Sequence, residues 1–242
     1  EKMRTEIRTM YEDRINSQNR YQDFTLEKEP TDEREKELYK SFRDNNRNNT
    51  KETHEIYNLM KTLQDNNKTS KYRLTSNEEL AKMGELERTE QDGKVKYTKN
   101  GQEVAINGFK KGDTIYINAD AINPYQATIG HEIGEAIKAS DKQAYDSLKQ
   151  LVKQVYGEGN LDDYKAIYGD NLTDNVEDEY VNDKLGEMFK DNKLIDRIGN
   201  NRNLLQRFID EVKRLVKYAP SSKEQKQLQK LQSHISHTIL NY

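Results

Sequence analysis

Residues Asn123 to Lys138 read Asn-Pro-Tyr-Gln-Ala-Thr-Ile-Gly-His-Glu-Ile-Gly-Glu-Ala-Ile-Lys. Asn123 is a favourable N-cap, and Pro124 suits a first helical turn because the N–H it lacks would have had no intrahelical partner there. A helix therefore starts here. Ile129, Ile133, Ala136 and Ile137 fall at i, i+4, i+7 and i+8 and predict one apolar stripe turned to a core. The other side carries His131, Glu132 and Glu135. Gly130 and Gly134 each cost about 1 kcal/mol against alanine in a helix interior, so their presence implies a second backbone passing close by.

The rest of the chain bounds what this helix can belong to. At 242 residues it is long enough for a sizeable core, yet 32% of residues are hydrophobic and 34% charged, and the mean hydropathy is -1.18. Much of the surface must be solvated helix. Forty basic against forty-three acidic side chains leave a net charge of -3, which offers no global attraction to nucleic acid or anionic membrane. No apolar run approaches the roughly 18 residues a membrane span needs, and no signal peptide opens the chain. It begins at Glu1 rather than Met, which implies a piece of something longer. There is no cysteine, so disulfides, thiolate ligands and Cys nucleophiles are excluded and any metal must be held by His, Asp, Glu or main-chain oxygen.

Ahead of the central helix, periodicity predicts helices over 1–22, from Thr31 and Asp32 to Phe42, and over Lys51 to Gln64, with an Asn-rich linker between Asp44 and Thr50. Ser76 or Asn77 caps a short helix that stops at Gly84. Asp92-Gly93, Asn100-Gly101 and Lys111-Gly112-Asp113 are tight-turn signals. They divide Glu85–Glu90, Lys94–Thr98, Glu103–Phe109 and Thr114–Asn118 into an expected antiparallel meander. Helices follow over Asp141 to Tyr156, Leu161 to Tyr168, Val176 to Lys190, Arg202 to Tyr218 and Ser222 to Asn241, with Pro220 between the last two. The order predicts an α+β fold: a helical lead-in over 1–69, then a domain over 70–242 in which a small meander precedes a mainly helical half.

His131 and Glu135, four apart, project from one helix face and can close on one metal ion, with Glu132 beside them. That is the geometry of the HExxH zinc-peptidase helix, with Glu in place of the second His. A third ligand must come from elsewhere. Glu179 and Asp183, also four apart on an expected helix, form an ExxxD pair of the kind gluzincin-type peptidases use. Glu179 then binds the metal and Asp183 orients His131. In so acidic a chain both clusters also have a plain reading as solvated helix faces. The pair His234 and His237 reads the same way.

Thr114-Ile-Tyr-Ile-Asn-Ala-Asp120, Asn-Pro, Gly-His-Glu, the downstream Glu-x-x-x-Asp-Lys-Leu-Gly and a late Arg-Asn-Leu-Leu-Gln-Arg-Phe resemble a metallopeptidase domain. Such domains stand at the C-termini of filamentous-haemagglutinin-like adhesins and in phage and polymorphic-toxin proteins of bacteria. The similarity covers roughly Asn77 to Asn241. It implies a zincin-like layout in which an edge strand, Thr114, Ile115, Tyr116, Ile117 and Asn118, receives a peptide by strand addition. It further implies a divalent metal, zinc first with manganese or iron as alternatives, and Glu132 as the group that moves the proton. Tyr180, Tyr168, His234 and His237 are the candidates to stabilise the oxyanion. The expected setting is a secreted or surface bacterial protein delivered into a target cell, with a protein or peptide substrate and a cognate immunity protein as partners. The alternatives are a metal-free zincin-shaped binding module, and a metal-dependent nuclease toxin, against which the near-neutral charge counts.

Overall fold

The computed structural model describes residues 23–45, 48–104, 106–120, 124–157, 159–168, 175–188, 193–217 and 222–240. The expected helix over 1–22, the Asn123 cap and the Pro220 break lie outside them. The described residues form an α+β fold. Its first helix, α1 (Glu33–Asn45), opens where Asp32 Oδ1 accepts the N–H of Glu35 at 3.1 Å. In α2 (Lys51–Asn66) the Thr50 hydroxyl does the same for Thr53 at 3.2 Å. Both helices pack on β1 (Lys71–Thr75), a strand that the sequence reading did not anticipate. Ser76 then caps the short α3 (Asn77–Lys82), and Gly84, at φ 79°, follows its end.

The expected single meander is two sheets. One consists of β2 (Glu87–Gln91), β3 (Lys94–Lys99) and β4 (Gln102–Glu103), antiparallel in that order. Its hairpins turn at Asp92-Gly93 and Asn100-Gly101 with φ of 53° and 72°, and 53° and 76°. Positive φ at both central residues is the geometry that matches the twist of paired strands. The other sheet has the order β1, β6 (Thr114–Asn118), β5 (Gly108–Lys111). Strand β6 pairs parallel with β1, Lys71 opposite Thr114, and antiparallel with β5, Lys111 opposite Thr114. Both edges of β6 are therefore taken, and Thr114, Ile115, Tyr116, Ile117 and Asn118 cannot receive a peptide by strand addition. The sequence reading placed β6 at an edge because β1 was missing from it.

Along β1 and β6 the side chains alternate with period two, sending Tyr72, Leu74, Ile115 and Ile117 into the main core. There they meet α4 (Pro124–Ser140), whose Ile129, Ile133 and Ile137 are fully buried. Helices α5 (Lys142–Tyr156), α7 (Val176–Glu187) and α9 (Arg202–Val216) surround α4. The remaining helices α6 (Gly159–Tyr168), α8 (Lys193–Ile198) and α10 (Ser222–Leu240) pack outside these. Phe24, Leu38, Phe42, Ile56, Met60 and Leu63, from the expected lead-in, belong to the same hydrophobic cluster as α4.

The closest crossing is α4 on α7. A Cβ built on Gly130 would fall onto the Asn182 carbonyl oxygen and 2.5 Å from the Gly186 nitrogen. A Cβ on Gly186 would sit 3.0 Å from the Gln126 carbonyl oxygen. Neither helix can carry a side chain there, so the backbones touch. This explains why both faces of α4 are buried and why the polar residues it was expected to show to solvent face protein.

A chain this polar still has to dispose of buried carboxylates, and it does so with tyrosines. Tyr72, Tyr145 and Tyr164 donate their hydroxyls to Glu132, Asp178 and Asp183 at 2.5, 2.8 and 2.5 Å. Each ring fills apolar space while its tip satisfies an acceptor that burial would otherwise leave costly. Burial first, and the adjacent carboxylate second, push all three phenols upward from their ordinary value.

Candidate functional site

Asn175 caps α7 by accepting the N–H groups of Glu177 at 3.0 Å and Asp178 at 3.3 Å. That cap places Glu179 in the first turn, where the helix dipole favours a carboxylate. The glycine crossing then carries Glu179 to His131. Nε2 of His131 lies 3.6 Å from Oε2 of Glu179, and the two residues are 0% and 2% exposed. Neither of these facing atoms has a hydrogen-bond partner. The other Glu179 oxygen accepts the Lys110 backbone N–H at 2.6 Å. His131 also meets Gly108, whose absent Cβ would stand 3.0 Å from Nε2.

The pair is not an ordinary ion pair. Burial, with help from the Lys110 charge, brings the His131 imidazole down to about 3. Burial also pushes the Glu179 carboxyl well above the usual carboxylate range. Burial disfavours the charged form of both groups, and 3.6 Å is too long for a hydrogen bond between them. A small divalent ion would resolve the arrangement, because a cation reverses the local preference for neutral forms. Two donors on a tetrahedral ion with bonds of roughly 2.0–2.1 Å stand about 3.3 Å apart, close to the spacing found. His131 and Glu179 thus fit such an ion as they stand.

Glu135 is one turn along α4 from His131, and its Oε2 accepts from the Lys110 ammonium. Among the described residues no three His, Cys, Asp or Glu side chains stand close enough together to hold a metal. Glu132, 4% exposed, is gripped from both sides. Its Oε2 accepts from Tyr72 at 2.5 Å and its Oε1 from Arg214 Nη2 at 2.6 Å.

The expected role of Asp183 needs correction. Its Oδ2 accepts from Tyr164, and the residue beside His131 Nδ1 is Asn182, at 3.4 Å. The reason is the crossing: Asn182 and Gly186, four apart, line the side of α7 that meets α4, while Asp183 faces α6. The Asn182 Oδ1 has no partner. Turned about its terminal bond, the same amide accepts Nδ1–H and leaves the Nε2 lone pair aimed at Glu179.

Of the oxyanion candidates, Tyr168 lies within reach of the site's carboxylates, since burial first and then Asp183 and Glu179 push its phenol upward, while the others are engaged elsewhere. Tyr180 donates to the Gly157 carbonyl at 3.0 Å, Tyr168 stacks on Tyr164 at 5.3 Å, and His234 sits 3.0 Å from Asp196. His237 is exposed on α10. Tyr72, Gly108, Lys110, Asn182 and Arg214 were all missed. The signals present were the alternation of Lys71-Tyr-Arg-Leu-Thr75 and the small-residue spacing of Asn182 and Gly186. Nothing local marks Lys110 or Arg214.

Burial first raises the Asp183 carboxyl to about 7 from an ordinary 3.8. An acid that is weaker in the folded state stabilises the fold below about pH 4, and that stability is lost as pH rises through about 7. His131 acts oppositely: its contribution is present above pH 6.5 and lost as pH falls toward 3. The two slopes oppose each other over their shared range, and the raised Glu179 carboxyl acts in the same sense as the first, in wild type and variant alike. In Asp183→Asn the first disappears, so urea stability should climb with pH between about 4 and 6.5, relative to wild type, by up to about 1.4 kcal/mol per unit. An unchanged pH profile would place the Asp183 carboxyl in water instead.

No protein-family model matches the chain, and neither does any curated protein or solved structure.

Proposed function

We propose that this chain is a zincin-like, metal-dependent peptidase domain, the effector or toxin end of a larger secreted or surface bacterial protein. The observation that carries the reading is the facing of His131 Nε2 and Glu179 Oε2, two buried donors without partners from two separate helices. His131, Glu179 and Glu135 would hold the metal, zinc first, with manganese or iron favoured more than usual by the two oxygen donors. When bound, the ion supplies Lewis-acid polarisation and an acidified water. Glu132 carries the proton to the leaving amine, and Tyr72 and Arg214 hold its carboxylate in place. Asn182 fixes the tautomer of His131. A protein or peptide is the substrate, and a cognate immunity protein is the expected inhibitor. Support for the setting and the partners is the motif resemblance alone.

A specific observation favours a second reading. With His131 and Glu179 at 0% and 2% exposure, nothing larger than an ion reaches the pair in this form. A zincin-shaped binding module without turnover would look the same.

Elemental analysis of the purified chain separates the two. A stoichiometric transition metal that is lost in Glu179→Ala, with cleavage of an unfolded protein that is lost in Glu132→Gln, is the expected result. Metal-free protein that cleaves nothing would leave the binding module, and degradation of RNA or DNA would move the chain to the nucleases.

A further inference from the structure

Three would-be ligands lie on two helices, yet one short strand touches all of them. Gly108 of β5 closes over His131 Nε2. Two residues on, the backbone N–H of Lys110 donates to Glu179 Oε1 at 2.6 Å, and its ammonium pairs with Glu135 Oε2. Gly108 and the Lys110 side chain lie on one face of the strand, two residues apart, while the Lys110 N–H lies in the plane of the sheet. The Lys110 and Glu135 side chains are 25% and 13% exposed, so the pair is only partly screened by water.

We propose that Lys110 is a built-in counter-cation of this site: its ammonium holds Glu135 away from His131 and Glu179, and a divalent metal gains its third donor only by displacing it. The proposal rests on the metal-site reading above and adds its regulation. Lys110 is the one positive side chain paired with Glu135 among the contacts of the described residues. The displaced ammonium has somewhere to go, since the Lys110 side chain as a whole is already 25% exposed and a lysine stem reaches water easily. Metal affinity is thereby set by competition between two cations for one carboxylate, and β5, an edge strand of the sheet, is the element that yields.

The test is calorimetric titration of zinc ion into the metal-stripped full chain, wild type against Lys110→Met, with Lys110→Gln as a polar alternative should the first fail to fold. Removing a half-buried competitor should tighten binding roughly tenfold. In a Glu135→Gln background the Lys110 substitution should change affinity less than about twofold, because the contested carboxylate is gone. Metal-free melting supplies a second readout. Lys110→Met should melt below wild type without zinc and gain more than wild type on saturation. Equal zinc affinity in wild type and Lys110→Met would overturn the competition while leaving the metal site standing. Folded proteins that bind no zinc in either form would overturn both.

Discussion

Gly130→Ala is expected to destabilise the protein by about 3 kcal/mol or more, read as a fall in the urea midpoint with little change in slope. The added methyl has no side chain to push aside. Its nearest neighbours are the Asn182 carbonyl oxygen and the Gly186 nitrogen and Cα, all main chain and all inside a helix. Relief requires α7 to move off α4 as a body, and α7 is also held by Asp178, which accepts from Tyr145 at 2.8 Å and Lys138 at 2.6 Å. Intrinsic propensity points the other way, since alanine is better than glycine in a helix by about 1 kcal/mol. A measured stabilisation would therefore mean that the helices do not touch. Gly134→Ala is the internal control. Its methyl would meet the Asn182 side-chain oxygen, the end of a group that can rotate, so its cost should be smaller. Because Asn182 is the neighbour of His131 Nδ1, that milder substitution should disturb metal binding more than its effect on stability suggests.

How much of this was legible beforehand follows from the range of the interactions concerned. Helix ends written in local chemistry were readable: Asp32 and Ser76 each accept a first-turn N–H as the sequence implied, and Asp141 and Asn175, not singled out as caps, do the same at the starts of α5 and α7. The two Asx-Gly hairpins were readable for the same reason. Gly130 and Gly134 announced a close approach, and the partner proved to be the very helix that carries Glu179. Sheet order was not readable. Thr114–Asn118 alternates as a half-buried strand would at an edge or at the centre, and only the parallel pairing with Lys71–Thr75, across some forty residues, decides between them. The site was legible to the depth of one helix face. Spacing showed that His131 and Glu135 share a side, but the ammonium on Glu135 and the two donors on Glu132 come from residues 110, 72 and 214, which no local pattern connects. Likewise ExxxD spacing put Asp183 on the face of Glu179, whereas the tilt of α7 on α4, set by Gly186, chose Asn182.

The other large effect concerns Glu132 and does not depend on catalysis. The residue is 4% exposed and its two carboxylate oxygens are each bound by a single donor, Tyr72 at 2.5 Å and Arg214 at 2.6 Å. Arg214→Met should cost about 2–3 kcal/mol, below the roughly 3–5 found when a fully buried pair loses one member, because the Arg214 side chain is 31% exposed and water can partly replace it. Tyr72→Phe keeps the ring and removes one hydrogen bond to a charged acceptor, so about 1–2 kcal/mol is expected. The informative measurement is the cycle. In Glu132→Gln the buried charge is gone, and Arg214→Met in that background should cost less than about 1 kcal/mol, a coupling of about 1–2 kcal/mol between residues 82 apart in sequence. Additive costs would mean that Arg214 packs on α4 rather than pairing with it. A strong coupling has a structural consequence: Tyr72, Glu132 and Arg214 belong to β1, α4 and α9, so this one carboxylate ties the sheet and the C-terminal helices to the helix that carries His131. Glu132→Gln would then loosen the site as well as remove the proposed proton carrier. The two effects separate by measuring zinc affinity of the variant, which falls with the first and is indifferent to the second.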